Sequence, residues 1–274
     1  GLTGAFGLKP GFLKSDILLN LDSEDEGELF IGCAGGVDTL IEMEYETEEP
    51  DQDYFYYKIK VSGLKGGHSG DDIQKGLGNA VKIMNRVLWQ LANSCGLRIS
   101  EFSGGNLRNA IAREAFSVVG IPISLNGEFV ELFNKLTKEI IQEYSITEEK
   151  LSIDFSKAEN PETLVKAEYQ DALLKSLYSC SNGVMAWSQS IANFVETSTN
   201  LASIKMENKT IYITTSQRSS VESAKKDIAN MVAANFRNIG AYVEHSDGYP
   251  GWKPNPDSNI LKRTTKSYEK LFGM

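Results

Sequence analysis

The feature that most limits the folds open to this chain is a repeated switch of hydrophobic period. Short runs read as strands at residues 16–21, 37–45, 54–61, 97–102, 115–119, 151–155, 201–206, 210–215 and 241–245. Most are β-branched or aromatic and are bounded by Gly, Asn, Asp or Ser. Between them run much longer helical patterns. Over 73–91, Ile73, Leu77, Val81, Met84, Leu88 and Leu91 recur at three- and four-residue steps and share one face. Helices of similar quality are expected over 127–144, 162–177, 221–239 and 258–271. A chain that alternates in this way must lay helices on a sheet, so the fold class is α/β or α+β.

Within this alternation the residues repeat an order. Asn109-Ala110-Ile111-Ala112 leads through a strand into a helix and then the strand at 151–155. Asn200-Leu201-Ala202-Ser203 leads in the same way to the strand at 241–245. Strand, helix, strand is the ending of a ferredoxin-like sandwich, in which helices cover one face of an antiparallel sheet. At this point a true duplication of that unit and a coincidence of order both stay open. The stretches 46–51 and 248–256 carry the Pro and Gly punctuation of linkers or hinges. They divide the chain into 1–48, 49–249 and 250–274. The two flanks are too short for a core of their own and are expected to be pieces of one interrupted domain.

At 274 residues, 41% hydrophobic and 24% charged, the chain has the make-up of an ordered globular protein. A net charge of -9 argues against nucleic acid and against an anionic membrane as partner, because both need a basic surface. A small ligand or another protein is expected instead. Cys33, Cys95 and Cys180 are odd in number and form no C-x-x-C pair, the usage of reduced thiols in a cytoplasmic protein. There is no run of 18 apolar residues and no basic, apolar leader pattern at the start. The opening Gly1-Leu2-Thr3-Gly4 lacks Met, which fits a cut inside a longer protein.

Four places carry chemistry. The run LNLDSEDEGE ends an apolar strand on Asp22, where an α/β sheet places ligands and a hard-oxygen metal ligand belongs. Glu24, Asp25, Glu26 and Glu28 beside it read as a solvated acidic face. A zinc site needs several ligands around one cavity. This chain has only His68 and His245, in neither an H-x-x-x-H nor an H-x-D pair, so most partners of Asp22 are expected outside these residues. His68 lies in GLKGGHSGDD, where glycines expose one imidazole that, in its neutral form, can donate to a developing oxyanion. Asn109, in GGNLRNAIAREA, offers an amide to a carboxylate or carbonyl, with charge from Arg108 or Arg113. Arg218 ends a strand and opens a helix, placed to grip a carboxylate through its fork. Each has a plainer reading: His68 as a turn residue, Asn109 as the source of an Asx bond, Arg218 as a surface residue beside a Ser220 cap.

Together the segments LNLDSEDEGE, IGCAGG, GLKGGHSGDD, GGNLRNAIAREA and GYPGWKP resemble, in order and over nearly the whole chain, the aminoacyl-histidine dipeptidases (peptidase D, carnosinase-like) of the co-catalytic zinc peptidase clan. The resemblance implies a catalytic domain with two zinc ions, interrupted by an inserted lid that also mediates homodimerisation. Carried over by residue, Asp22 resembles a zinc ligand and His68 the lid histidine that stabilises the oxyanion. Asn109 and Arg218 resemble the lid residues that grip the carboxylate and backbone of a short peptide. The family's H-x-D motif, bridging Asp and Glu-Glu pair would precede Gly1, and its last zinc-binding His would follow Met274. The chain is then the lid at 49–249, between catalytic-domain remnants at 1–48 and 250–274, inactive by itself and a weak zinc binder. Two rivals stand beside this reading: a non-catalytic ferredoxin-like dimerisation or ligand-binding module, and, within the clan, an aminoacylase or tripeptidase.

Overall fold

A computed structural model describes residues 4, 7–21, 27–50 and 52–273. The chain divides into two compact units. One is Ala34–Trp252, and the other joins Gly1–Cys33 to Lys253–Met274.

The larger unit runs β1 (Gly35–Glu44), β2 (Thr47–Glu48), β3 (Tyr54–Ser62), β4 (Gly67–His68), α1 (Ala80–Cys95), β5 (Arg98–Gly104), β6 (Ala110–Ile111) and β7 (Ala115–Pro122). It continues through α2 (Asn126–Glu143), β8 (Ser152–Lys157), β9 (Leu164–Val165), α3 (Ala167–Ser179), β10 (Gly183–Trp187), β11 (Val195–Glu207), β12 (Thr210–Ser219), α4 (Glu222–Arg237) and β13 (Tyr242–His245). A nine-stranded sheet has the order β13-β1-β12-β11-β5-β7-β3-β8, with β10 beside β11, and its paired strands are antiparallel.

This order contains the expected ferredoxin-like unit twice. β3-α1-β5-β7-α2-β8 lies in space as fourth, first, third, second strand. β1, β11, β12 and β13, with α4 before the last, lie in the same order. The architecture is therefore duplicated, with the first unit inserted in the long connection from β1 to β11. The seam between them, β5 against β11, rests on the pair Ile204 and Gly104. Helix α3 touches both α1 and α4, which puts the helices of both units on one face. Between helices and sheet lies one contiguous apolar cluster, in which Phe102, Phe129 and Phe236 are fully buried. Each such side chain contributes roughly 1.5–3 kcal/mol by leaving water.

Several sequence expectations shift. The helix expected over 73–91 begins only at Ala80, because Gly76, at φ +67°, closes a short 3-10 turn at Ile73–Lys75. Asn79 then caps α1, accepting from the Val81 and Lys82 N–H groups. The helix expected from 162 begins at Ala167, since Leu164–Val165 pairs with Thr47–Glu48 as β9 with β2. The first presumed linker lies inside the larger unit, and the second contains the end of that unit at Trp252. Residues 47–48 form that strand pair, and Tyr249 forms an antiparallel bridge with Gly36. Because β1 sits between β13 and β12, the larger unit starts at Ala34 and ends at Trp252, wider than the expected 49–249.

In the smaller unit α5 (Asn259–Phe272) forms where expected and has no buried residue. Its Tyr268 and Phe272 rings lie 4.5 Å apart. The strand expected over 16–21 is not formed. Leu18 and Leu21 are 80% and 90% exposed. An extended run becomes a strand only where a neighbour completes its hydrogen bonds, and among the described residues no strand pairs with this one.

Candidate functional site

Side chains alternate along a strand, so Arg218 points away from the helices while Gln217 and Ile213 point toward them. Gln217 is fully buried and wholly hydrogen-bonded. Its Oε1 accepts from Thr39 Oγ1 at 2.7 Å, and its Nε2 donates to Thr215 Oγ1 at 2.7 Å and Thr199 Oγ1 at 3.2 Å. One amide thus ties β1, β11 and β12 together next to Arg218, in register with Gly36 and Ser198 on either side.

Over this face folds an arm carrying His68. It leaves β3 at Gly63, where φ is +78° and a Cβ would lie 1.9 Å from the Lys150 carbonyl oxygen, so only glycine fits. Its β4 pairs with β6, placing His68 opposite Ala110. Asn200 Nδ2, on the same face as Arg218, donates to the Ala110 carbonyl at 2.8 Å and holds the arm down. Asp72 closes the loop by accepting the His68 N–H at 2.7 Å. Lys75 beside Asp72, and then that N–H, hold the Asp72 carboxyl below its ordinary value of 3.8.

The result is a meeting point. A Cβ added to Gly70 would lie 3.1 Å from Arg218 Nη1 and 3.2 Å from both Cε1 and Nδ1 of His68. His68 Nδ1 is 2.8 Å from Asp71 Oδ2, close but without the direction of a hydrogen bond. Arg218 Nη1 donates to Tyr249 Oη at 3.2 Å, and its Nε is buried without a partner. The Tyr249 ring packs on Gly36, where a Cβ would lie 2.7 Å from Tyr249 Cε1.

Asn109 joins through its backbone, its carbonyl accepting the Ser69 N–H at 2.9 Å. Its exposed side chain lines an open groove of about 450 Å³ with Asp38, Leu40 and Ser246. Arg108, in the same groove, pairs with Asp38 at 3.1 Å. Sequence reasoning missed Gln217, Tyr249 and Asp71. The signal for Tyr249 was present in GYPGWKP, read there as punctuation. Asp22 lies outside the described residues. Among the described residues no group of three or more His, Cys, Asp and Glu is placed to hold a metal ion. The chemistry on this face is that of an imidazole and a guanidinium, groups that can donate to negative charge.

Residues 55–148, the first ferredoxin-like unit as far as Glu148, match the model of the peptidase dimerisation domain. The cytosol non-specific dipeptidase of Escherichia coli K12 is 35% identical over 272 residues, which cover 99% of this chain and 56% of that protein. The crystal structure of aminoacylhistidine dipeptidase from Vibrio alginolyticus superposes with a TM-score of 0.95 at 38% identity, over 100% of this chain and 56% of that one. The chain thus spans about half the length of the relatives it matches.

Proposed function

We propose, on the premise that this chain is a relative of the dipeptidases and carries a peptidase dimerisation domain, that the full-length protein hydrolyses Xaa-His dipeptides such as β-alanyl-histidine. The meeting of His68 and Arg218 over Gly70 carries this reading. A dipeptide presents negative charge twice, as its C-terminal carboxylate and as the oxyanion formed when its peptide carbonyl is attacked. An imidazole and a guanidinium standing beside the same glycine can answer both.

In this reading Arg218 takes the carboxylate, its orphaned Nε being the unused edge of the fork, and Asn109 borders the cleft that holds the peptide backbone. His68 stabilises the oxyanion. Zinc dependence is proposed for the full-length protein, with Asp22 as the ligand this chain supplies, and the roles of His68, Asn109 and Arg218 are independent of it. A homodimer formed through residues 55–148 is part of this reading, supported by the domain match. A cytoplasmic location agrees with the cytosolic name of the relative. Among the described residues no helix is long and apolar enough to cross a membrane.

The test uses the full-length protein with β-alanyl-histidine, its C-terminal amide, acetylated amino acids and tripeptides. The free dipeptide is expected to be the best substrate. Replacing His68 with Gln lowers kcat roughly 100- to 1,000-fold with little change in KM, as the loss of one oxyanion donor does. Arg218→Lys raises KM about 10- to 100-fold for the free acid and leaves the amide nearly unaffected, because only the acid uses the bidentate fork. Faster turnover of acetylated amino acids or tripeptides would replace this reading with an aminoacylase or a tripeptidase.

A further inference from the structure

The arm that carries His68 stands on one buried carboxylate. Glu148 is 2% exposed. Its Oε2 accepts the Lys65 N–H at 2.8 Å, and its Oε1 accepts the Gly78 N–H, also at 2.8 Å. Those two amides are the feet of the arm, one before and one after His68. The same turn supports the arm a second way, since Gly63 packs on the Lys150 carbonyl. At Gly78 a Cβ would lie 2.7 Å from Leu64 Cδ2 and 3.5 Å from Glu148 Cγ, so both feet are pressed together over the carboxylate with no room for a side chain. A buried carboxylate is costly unless its oxygens are hydrogen-bonded. Here backbone donors from the two ends of one loop satisfy it, so opening the arm at either foot exposes that cost.

We propose that Glu148 is a positioning residue for His68: by clamping both feet of the 65–78 arm it sets where the imidazole stands relative to Arg218. The inference rests on the oxyanion role assigned to His68 and adds a residue that never reaches the substrate. Glu148→Gln keeps the shape but turns one accepting oxygen into a donor facing an N–H, so one foot is released. An oxyanion donor displaced by a fraction of an ångström loses transition-state stabilisation without losing ground-state binding.

The experiment is a double-mutant cycle in the full-length protein together with amide exchange. E148Q is expected to lower kcat between about 10- and 100-fold at unchanged KM, and to add nothing further in an H68Q background, because it acts through His68. The Lys65 and Gly78 amides exchange faster in E148Q, while amides of the central sheet keep their protection. Equal losses of kcat in both backgrounds, or no loss in either, overturn the positioning role. Unaltered exchange at both feet overturns the clamp itself. Should H68Q leave kcat at the parent value, the oxyanion reading fails instead, and the exchange data still decide the clamp. Glu148→Asp, which keeps the charge but is too short to span both feet, carries the same measurements if E148Q does not fold.

Discussion

At the scale of single residues, small side chains decide as much as reactive ones. His68 and Arg218 both pack against Gly70 because it carries no Cβ, and Tyr249 reaches Arg218 because Gly36 leaves room for its ring. The glycines around His68 were readable from sequence, and the residue is half-buried with a buried Nδ1. The partners of Arg218 were not readable, since nothing local links Gly36 to Tyr249. The cysteines behave as their burial dictates. Cys95 and Cys180 are buried, and burial pushes the Cys180 thiol up to about 11. At neutral pH its thiolate fraction is then on the order of one in ten thousand. Neither residue should react with a maleimide in the folded protein, and both should react after denaturation. Rapid labelling of Cys95 or Cys180 under native conditions, read by peptide mass spectrometry, would contradict this burial.

Among the elements, α2, α4 and α5 form close to where their apolar periodicity placed them, because each buries or presents one continuous stripe. The starts of α1 and α3 moved for reasons the period does not encode: a left-handed Gly76 in one, pairing of Leu164–Val165 with β2 in the other. The two helices are joined by Lys82. From α1 its Nζ donates to the carbonyls of Leu177, Tyr178 and Cys180, at 2.7, 2.9 and 2.9 Å, and so closes the end of α3. Lys82→Met keeps the aliphatic stem but strands those carbonyls. The expected destabilisation is on the order of 2 kcal/mol, measured as a lower urea midpoint at unchanged slope. An unshifted midpoint would mean that water caps α3 equally well.

For the larger unit as a whole, the consequence of duplication is a single sheet shared by two halves. The seam between β5 and β11 is narrow in backbone terms. It is reinforced by the shared apolar cluster, by Lys82, and by the Phe102 N–H donating to Met206 Sδ at 3.1 Å. A continuous core of this kind should unfold in one step. Circular dichroism and tryptophan fluorescence followed through a urea titration are expected to give coincident transitions for this unit. Two separated transitions would show that each half holds its own core, with the seam only a contact between them.

The chain's local chemistry by itself determined the longer helices, most of the longer strands, and the strand-helix-strand order that ends each ferredoxin-like half. These follow from side-chain period and backbone freedom, which act over a few residues. Only the tertiary structure decided that β1 belongs to the central sheet, that Tyr249 returns to bridge Gly36, that His68 and Arg218 both come to Gly70, and that Glu148 accepts from the Lys65 and Gly78 amides. Such contacts join residues far apart in the chain, and the order of strands in the sheet brings them together, a property of the whole packed layer that no local period specifies.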